Sequence, residues 1–541
     1  MSLYVVTNHL RKAEKAAKAW NDLGFESTIR TLGQNCYIAT SKAYREHDLN
    51  IYNYNGIATV AIGTFFTRES FDKNEIAAEL YGDVLTESDL DKLYGHFTII
   101  QVHNDKIHVM NDKVGMMNVY FSEESSSYCF GNDLIVVTVN GDSTELSTLG
   151  VMQFCLNEST QSGNTIFNGV KRLKLGNGLY IKRGTISEVK FHHYMEEVFD
   201  FPAYLDSVAE YFNLIGNYKK KIAVELSAGF DTRLIASASS GRFPFIGISN
   251  QNKFDNGVDE KIAKEIALKL NVGFNLVKRP NESENNKNEL LHLLSVGRDI
   301  NRSRDWISIC KGKYAFSNLI IGGYGGESLR FKYNKYGSLK SFVSNFYKSK
   351  LIRNRSERHL YNKQCSEDLN KSVLVKLGGE SYSISNLIYT LDRMRIWGGE
   401  GTAAMYHFGD RLHPFMDWKL IGPILSLNLN TNEGEKLQAK IINSHCSSLM
   451  NIPINPKSVD VDGTKSNIFK RAISSIYICK SISSRIQNKI RESFPCNFGH
   501  LKYIEDTKKY KIPIFRTASY DSRLKTVDAA LGRVLELKKL D

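Results

Sequence analysis

The sequence lacks any uncharged apolar run of 18 residues, so no membrane-spanning helix is expected. Its first residues, Met1-Ser-Leu-Tyr-Val-Val-Thr7, carry no basic region followed by a long apolar core, so no signal peptide is expected. None of the eight cysteines sits in a Cys-x-x-Cys pair. That spacing argues against a zinc site and for reduced thiols, and hence for a cytoplasmic protein. No His-Glu-x-x-His pattern occurs among the thirteen histidines. The net charge of +13 is spread along 541 residues without a long Lys/Arg block, so direct nucleic-acid binding is not expected. Internal repeats and low-complexity tracts are absent too. What remains is an ordinary soluble composition, 42% hydrophobic and 24% charged, long enough for two to four domains.

The pattern divides the chain in two. Residues 1 to about 50 read as an irregular start with one amphipathic helix, Lys12 to Leu23. From Ile57 a series of alternating strands follows: Ile57–Phe66, Phe97–His103, Lys106–Met110, Val119–Phe121 and Tyr128–Phe130. Serial hairpins of this kind predict an antiparallel sheet. A linker is expected near Tyr194 to Phe201. From Lys220 onward strands alternate with helices, which predicts a parallel α/β sheet. Asp259 is the expected cap of a helix carrying Ile262, Ile266 and Leu270. Residues 331–380, polar and basic, read as an inserted helical excursion or lid. Near the end, Ile482, Ile486 and Ile490 make one helical stripe.

Two loops carry the chemistry. The apolar run Ile222 to Leu226 leads into Ser227-Ala-Gly-Phe-Asp-Thr-Arg233 and then into a helix-forming run. A strand, a small-residue loop and a helix start make an anion site, because the first helical amides are unpartnered and the helix dipole is positive there. No Gly-Lys-[Ser/Thr] ends the loop, so it is not a Walker A motif. The second loop, Gly322-Gly-Tyr-Gly-Gly-Glu327, follows the strand beginning at Asn318. Parallel sheets bind ligands at the carboxyl ends of their strands. Asp231 and Glu327 are therefore placed to share a Mg²⁺ on the phosphates.

The first loop resembles the pyrophosphate loop of the ATP pyrophosphatases. Taken with Pro414-Phe-Met-Asp417 and Lys457, the two loops resemble the asparagine synthetase family. Gly95-His-Phe-Thr98, Asn111-Asp-Lys-Val-Gly115 and Phe130-Gly-Asn-Asp133 resemble its N-terminal amidotransferase domain. The resemblance implies an α/β protein of two parts. Residues 1–195 would be an αββα domain of the N-terminal-nucleophile type with a non-standard extension. Residues 196–541 would be an ATP-pyrophosphatase synthetase domain. It implies ATP and Mg²⁺ as cofactors, Ser227, Ala228, Gly229, Asp231, Thr232, Arg233, Gly322 and Gly323 around the phosphates, and backbone at Leu226 and Ile248 around adenine. Asp231 and Glu327 would hold the metal, and Lys457 would be the catalytic lysine.

Two departures shape the expected reaction. Glutamine-hydrolysing members begin with Cys, whereas residue 2 is Ser2 and no Cys opens the Ile57 strand, so glutamine hydrolysis is not expected. Tyr324 stands where asparagine synthetases carry Glu, as in the β-lactam synthetases, where a Tyr–Glu pair deprotonates an amine. Glu400 occupies a comparable place for that partner. The expected function is adenylation of a small-molecule or peptide carboxylate followed by transfer to an amine, as a cyclase or tailoring enzyme. Amidation of a sugar acid and a non-catalytic nucleotide-binding role are the alternatives, and a partner protein or a homodimer stays open.

Overall fold

A computed structural model describes residues 3–41, 51–81, 83–123, 127–194, 198–251, 257–278, 287–299, 306–352, 355–374, 377, 383–454 and 518–539. The protein is mixed α/β, with antiparallel sheets in its N-terminal part and a parallel sheet in its C-terminal part.

The N-terminal part holds two six-stranded sheets. The first runs in the order β10 (Lys171–Arg172), β8 (Tyr120–Glu123), β9 (Tyr128–Gly131), β1 (Tyr4–Thr7), β3 (Cys36–Ser41) and β2 (Ser27–Gly33). The second runs β12 (Thr185–Lys190), β11 (Asn177–Lys182), β7 (Lys106–Asn111), β6 (Tyr94–His103), β5 (Ile57–Phe66) and β4 (Ile51–Tyr54). Alternation along the strands builds the layers. Tyr4, Val6, Val60, Ile62, Ile100 and Val109 fill one core between the sheets. Leu3 and Val5 face the other way, into a cluster shared with Ala13, Ala16 and Trp20 of helix Leu10–Asn21. Ala61 and Phe65 of β5 pack outward against Ile76 and Leu80 of helix Lys73–Leu80. Helices thus cover both outer faces, an αββα sandwich.

One expectation fails here. Residues 3–41 are not an extension outside the sandwich. Strand β1 lies inside the first sheet, antiparallel to β3 and β9. All four of its residues are buried, because both sheet faces are covered, so it shows no polar alternation. Trp20 of the following helix donates its indole N–H to Asp133 at 2.8 Å, tying this segment to the Phe130–Asp133 turn. Ser2 lies outside the described residues.

The C-terminal sheet is parallel throughout, in the order β15 (Gly273–Val277), β14 (Ile246–Asn250), β13 (Ile222–Glu225), β16 (Leu319–Ile321) and β17 (Asp410–Leu412). The chain winds outward from β13 in one direction, then returns to β16 and winds in the other. The winding reverses between β13 and β16, and such a switch point leaves a crevice at the strand ends.

The described residues of 331–380 are mostly helical, but they are not a lid. Phe342, Tyr347, Tyr361, Cys365 and Leu369 are fully buried. Asn157 donates to the Tyr361 hydroxyl at 3.3 Å and Asn164 to Asp368 at 2.9 Å, so this excursion packs against the N-terminal part. The sequence suggests a lid because Lys, Asn and Ser dominate it, while the apolar anchors are aromatic and widely spaced. The Ile482–Ile490 stripe lies outside the described residues.

Candidate active site

The two loops meet at the switch point. Ser227 follows β13, and helix Phe230–Ser239 starts with Gly229 as its N-cap. The loop is braced internally: Ser227 N–H donates to Thr232 Oγ1 at 3.1 Å and Gly229 N–H to Ser227 Oγ at 3.1 Å. Ala228 N–H donates to Asp259 Oδ1 at 2.9 Å. Asp259 therefore does not cap its own helix, Val258–Lys269, whose N-cap is Gly257 at φ 79°. With these three amides occupied, the first-turn amides of Phe230, Asp231 and Thr232 are the ones a helix start leaves for an anion.

The second loop reaches the first through its glycines. A Cβ on Gly323 would lie 3.2 Å from the Thr232 amide nitrogen, and one on Gly326 would lie 2.7 Å from the Asp231 side chain. Gly325 has φ +91°, and a Cβ there would stand 2.0 Å from the Phe415 carbonyl. Gly325→Ala is therefore expected to cost at least about 1 kcal/mol of stability, through strain and displaced backbone together. A thermal melt checks this; an unchanged midpoint would refute the close approach.

Asp231 and Glu327 do converge, but a cation of the protein itself lies between them. Arg330 Nη2 is 2.7 Å from Asp231 Oδ2 and 3.8 Å from Glu327 Oε1. Gln438, on helix Thr431–Cys446, donates to Asp231 Oδ1 at 3.2 Å. The Glu327 Oε2 accepts from the Tyr333 hydroxyl at 3.2 Å and from the Tyr389 hydroxyl. Burial pushes the Asp231 carboxyl up, and Glu327 adds to that while Arg330 opposes it. Among the described residues no group of three or more His, Cys, Asp or Glu side chains could hold a metal ion. The pair is closed by a guanidinium and does not fit Mg²⁺ as arranged.

Other expected site residues are placed differently. Arg233 does not face the phosphate loop. It is fully buried, and its guanidinium donates to the carbonyls of Leu449, Ile452 and Pro453 at 3.1, 2.6 and 2.8 Å. It lies one residue beyond Thr232 on the helix, and 100° of rotation turns it into the core. Glu400, on helix Arg395–Met405, forms no hydrogen bond with Tyr324. Its Oε1 pairs with Arg172 at 3.0 Å, across the boundary between the two parts. Burial pushes its carboxyl up to about 7, against Arg172, Arg298 and Arg393. The Tyr–Glu base pair is therefore not assembled. The Leu226 N–H donates to the Ile248 carbonyl at 2.8 Å, which holds the end of β13 to β14. Lys457 lies outside the described residues.

Tyr324 is half-buried and stacks on the His413 ring, with centroids 4.3 Å apart and planes 13° apart. Burial raises its phenol, against Arg298 and Arg411. Beneath it lies a cluster that sequence reading missed. Glu225, the last residue of β13, bridges Lys313 at 2.5 Å and Arg411 at 2.6 Å. Burial opposes its ionisation, but the two cations prevail and hold its carboxyl well below the ordinary range. Arg411 also donates through Nε to His413 Nε2 at 3.3 Å. Gly322 permits this packing, since a Cβ there would lie 2.4 Å from Arg411 Nη2. The signal was a single acid in an apolar strand, Ile-Ala-Val-Glu225, whose partners are 88 and 186 residues away.

Pro414-Phe-Met-Asp417 docks the two parts. Asp417 Oδ2 accepts the Gly95 N–H at 2.6 Å and the Tyr211 hydroxyl at 3.0 Å, while Oδ1 accepts the Lys419 N–H at 3.0 Å. Thr64 of β5 bonds the Asp410 carboxylate and the Arg411 amide of β17, both at 3.1 Å.

Residues 47–194 match the model of a glutamine amidotransferase domain. No curated protein matches the chain. Among solved structures it is similar to the glutamine phosphoribosylpyrophosphate amidotransferase from B. subtilis complexed with ADP and GMP, at 8% identity over 51% of this chain and 66% of that one, TM-score 0.24. It is similar to an NMN synthetase from Francisella tularensis, at 11% identity over 56% of this chain and 100% of that one, TM-score 0.18. A U34-tRNA thiolase from Methanococcus maripaludis matches at 9% identity over 55% and 82%, TM-score 0.20. The chain spans just under two thirds of the first of these. Residues 47–194 are thus similar to a glutamine amidotransferase domain, joined in this chain to a parallel sheet that carries the two glycine-bearing loops.

Proposed function

We propose that this protein is an ATP-dependent, AMP-forming amide ligase. The observation that carries the reading is the contact of the Ser227–Thr232 and Gly322–Glu327 loops at the switch point of a parallel sheet. A nucleotide lying there would set its phosphates against the first turn of helix Phe230–Ser239. A substrate carboxylate attacks the α-phosphorus, and pyrophosphate leaves onto the helix amides and nearby positive charge. An amine near Tyr324, whose hydroxyl hydrogen-bonds to no group among the described residues, then attacks the acyl carbon; the amide bond forms, AMP leaves and the amine's proton passes to solvent.

The amine is not supplied by glutamine hydrolysis. Cys36, Cys129 and Cys155, the described cysteines of the N-terminal part, are all buried. Burial pushes the Cys36 thiol up to about 11 and the Cys155 thiol up to about 12, far from a thiolate nucleophile. The substrate is a small-molecule or peptide carboxylate. A sugar acid is the alternative, and a substrate panel separates them.

ATP–pyrophosphate exchange with that panel is the test. Tyr324→Phe is expected to keep exchange and to slow amide formation by about tenfold, through loss of the hydrogen bond that the neutral phenol oxygen would accept from the amine. Amide formation at the wild-type rate would remove Tyr324 from amine positioning. The closed carboxylate pair favours one second reading, a nucleotide-binding protein without catalysis; ATP binding without exchange across the panel would select it.

A further inference from the structure

We propose that Arg330 is the resident cation of the nucleotide site and takes phosphate oxygens directly, so that nucleotide binds without a divalent metal. The proposal rests on the nucleotide reading of the two loops. Arg330 follows the short helix Gly326–Leu329 and points back across the loop to Asp231. It stands between the two acids that a bridging cation would use, 2.7 Å from one and 3.8 Å from the other. The remaining oxygens of both acids already accept from neutral donors, Gln438 on one side and the Tyr333 and Tyr389 hydroxyls on the other.

A divalent ion entering here would displace the guanidinium from a charge-assisted hydrogen bond. It would also strand that guanidinium, whose side chain is only 17% exposed. Arg330 has donors to spare. Nη2 is the atom that serves Asp231, whereas Nε is buried with no partner among the described residues. Asp231 lies in the first turn of the helix whose amides are the anion site, so its contact with Arg330 anchors the guanidinium at that turn. A fork of N–H groups next to a helix N-terminus matches the oxygens of a phosphate chain.

Isothermal titration of the full chain with ATP, and separately with inorganic pyrophosphate, tests this in EDTA and in excess Mg²⁺. The wild type is expected to bind at least one of them in EDTA, within about threefold of its affinity in Mg²⁺. Arg330→Gln is expected to lose about tenfold or more in EDTA. It should recover in Mg²⁺, because the freed carboxylates then open to a metal. Binding by the wild type in Mg²⁺ alone would overturn the proposal and leave the nucleotide site standing. No binding of either probe in either condition would overturn the nucleotide reading, and the proposal with it. The wild-type comparison decides the matter even where Arg330→Gln fails to fold.

Discussion

Glu225→Ala is expected to destabilise the protein by about 3–5 kcal/mol, the cost of leaving buried charge unpaired. Two cations lose their anion together. Lys313 is 7% exposed and Arg411 is 1% exposed, so neither reaches water without moving its helix or strand. The Arg411 Nη1 is already buried without a partner among the described residues, so the site has no slack to absorb the loss. Urea denaturation monitored by far-ultraviolet circular dichroism checks this: the midpoint should fall with the slope unchanged. A midpoint within error of the wild type would show that the pair is not closed in solution.

The same carboxyl sets a pH dependence. Its value in the folded protein is depressed from the ordinary 4.5 by Arg411 and Lys313, against burial. A depressed carboxyl contributes stability that is fully present above its unfolded value and is lost as pH falls toward the folded value. The wild type should therefore weaken progressively below about pH 4.5. Glu225→Ala should lack this component of the acid profile.

Asp417→Ala is the second large effect, expected at about 3 kcal/mol or more. One carboxylate accepts from the Gly95 amide, the Tyr211 hydroxyl and the Lys419 amide, and its removal orphans donors in both parts of the molecule. Gly95 belongs to the N-terminal sandwich and Lys419 to helix Trp418–Leu425, so the loss falls on the docking of one part against the other. Hydrogen exchange at Gly95 should speed up in the variant before the β13–β16 ladder is affected. Unchanged protection there would show that the docking does not depend on Asp417. Asp417→Asn keeps an oxygen in place and should cost less.

The strands were the most legible part. The sequence places a strand at Ile57–Phe66, and β5 has those bounds, because long apolar alternation with a glycine-marked turn before it has no helical counterpart. Strand β1 was not legible: four residues buried on both faces carry no period. The loops were legible as chemistry, since small residues between strand and helix leave backbone amides to work with. Their partners were not. Arg233 and Arg330 are both cations near acids in the sequence, yet one is turned into the core and the other fills the space between Asp231 and Glu327. Helical rotation decides the first case, and the path of the turn after Leu329 decides the second. Glu400 was expected beside Tyr324, but its helix presents it to Arg172, a residue of the other part.

By itself, then, the sequence determined where small-residue loops leave the carboxyl ends of parallel strands: Ser227–Thr232 and Gly322–Glu327, each after an apolar strand. That information is local, held in residue size, hydrophobic period and helix-start chemistry. Only the tertiary structure decided which charges meet there, because Glu225 finds Arg411, Asp231 finds Arg330 and Gln438, and Asp417 finds Gly95 across separations of about one hundred residues or more. Electrostatic pairing acts through space over a few ångströms, and no spacing along the chain encodes it.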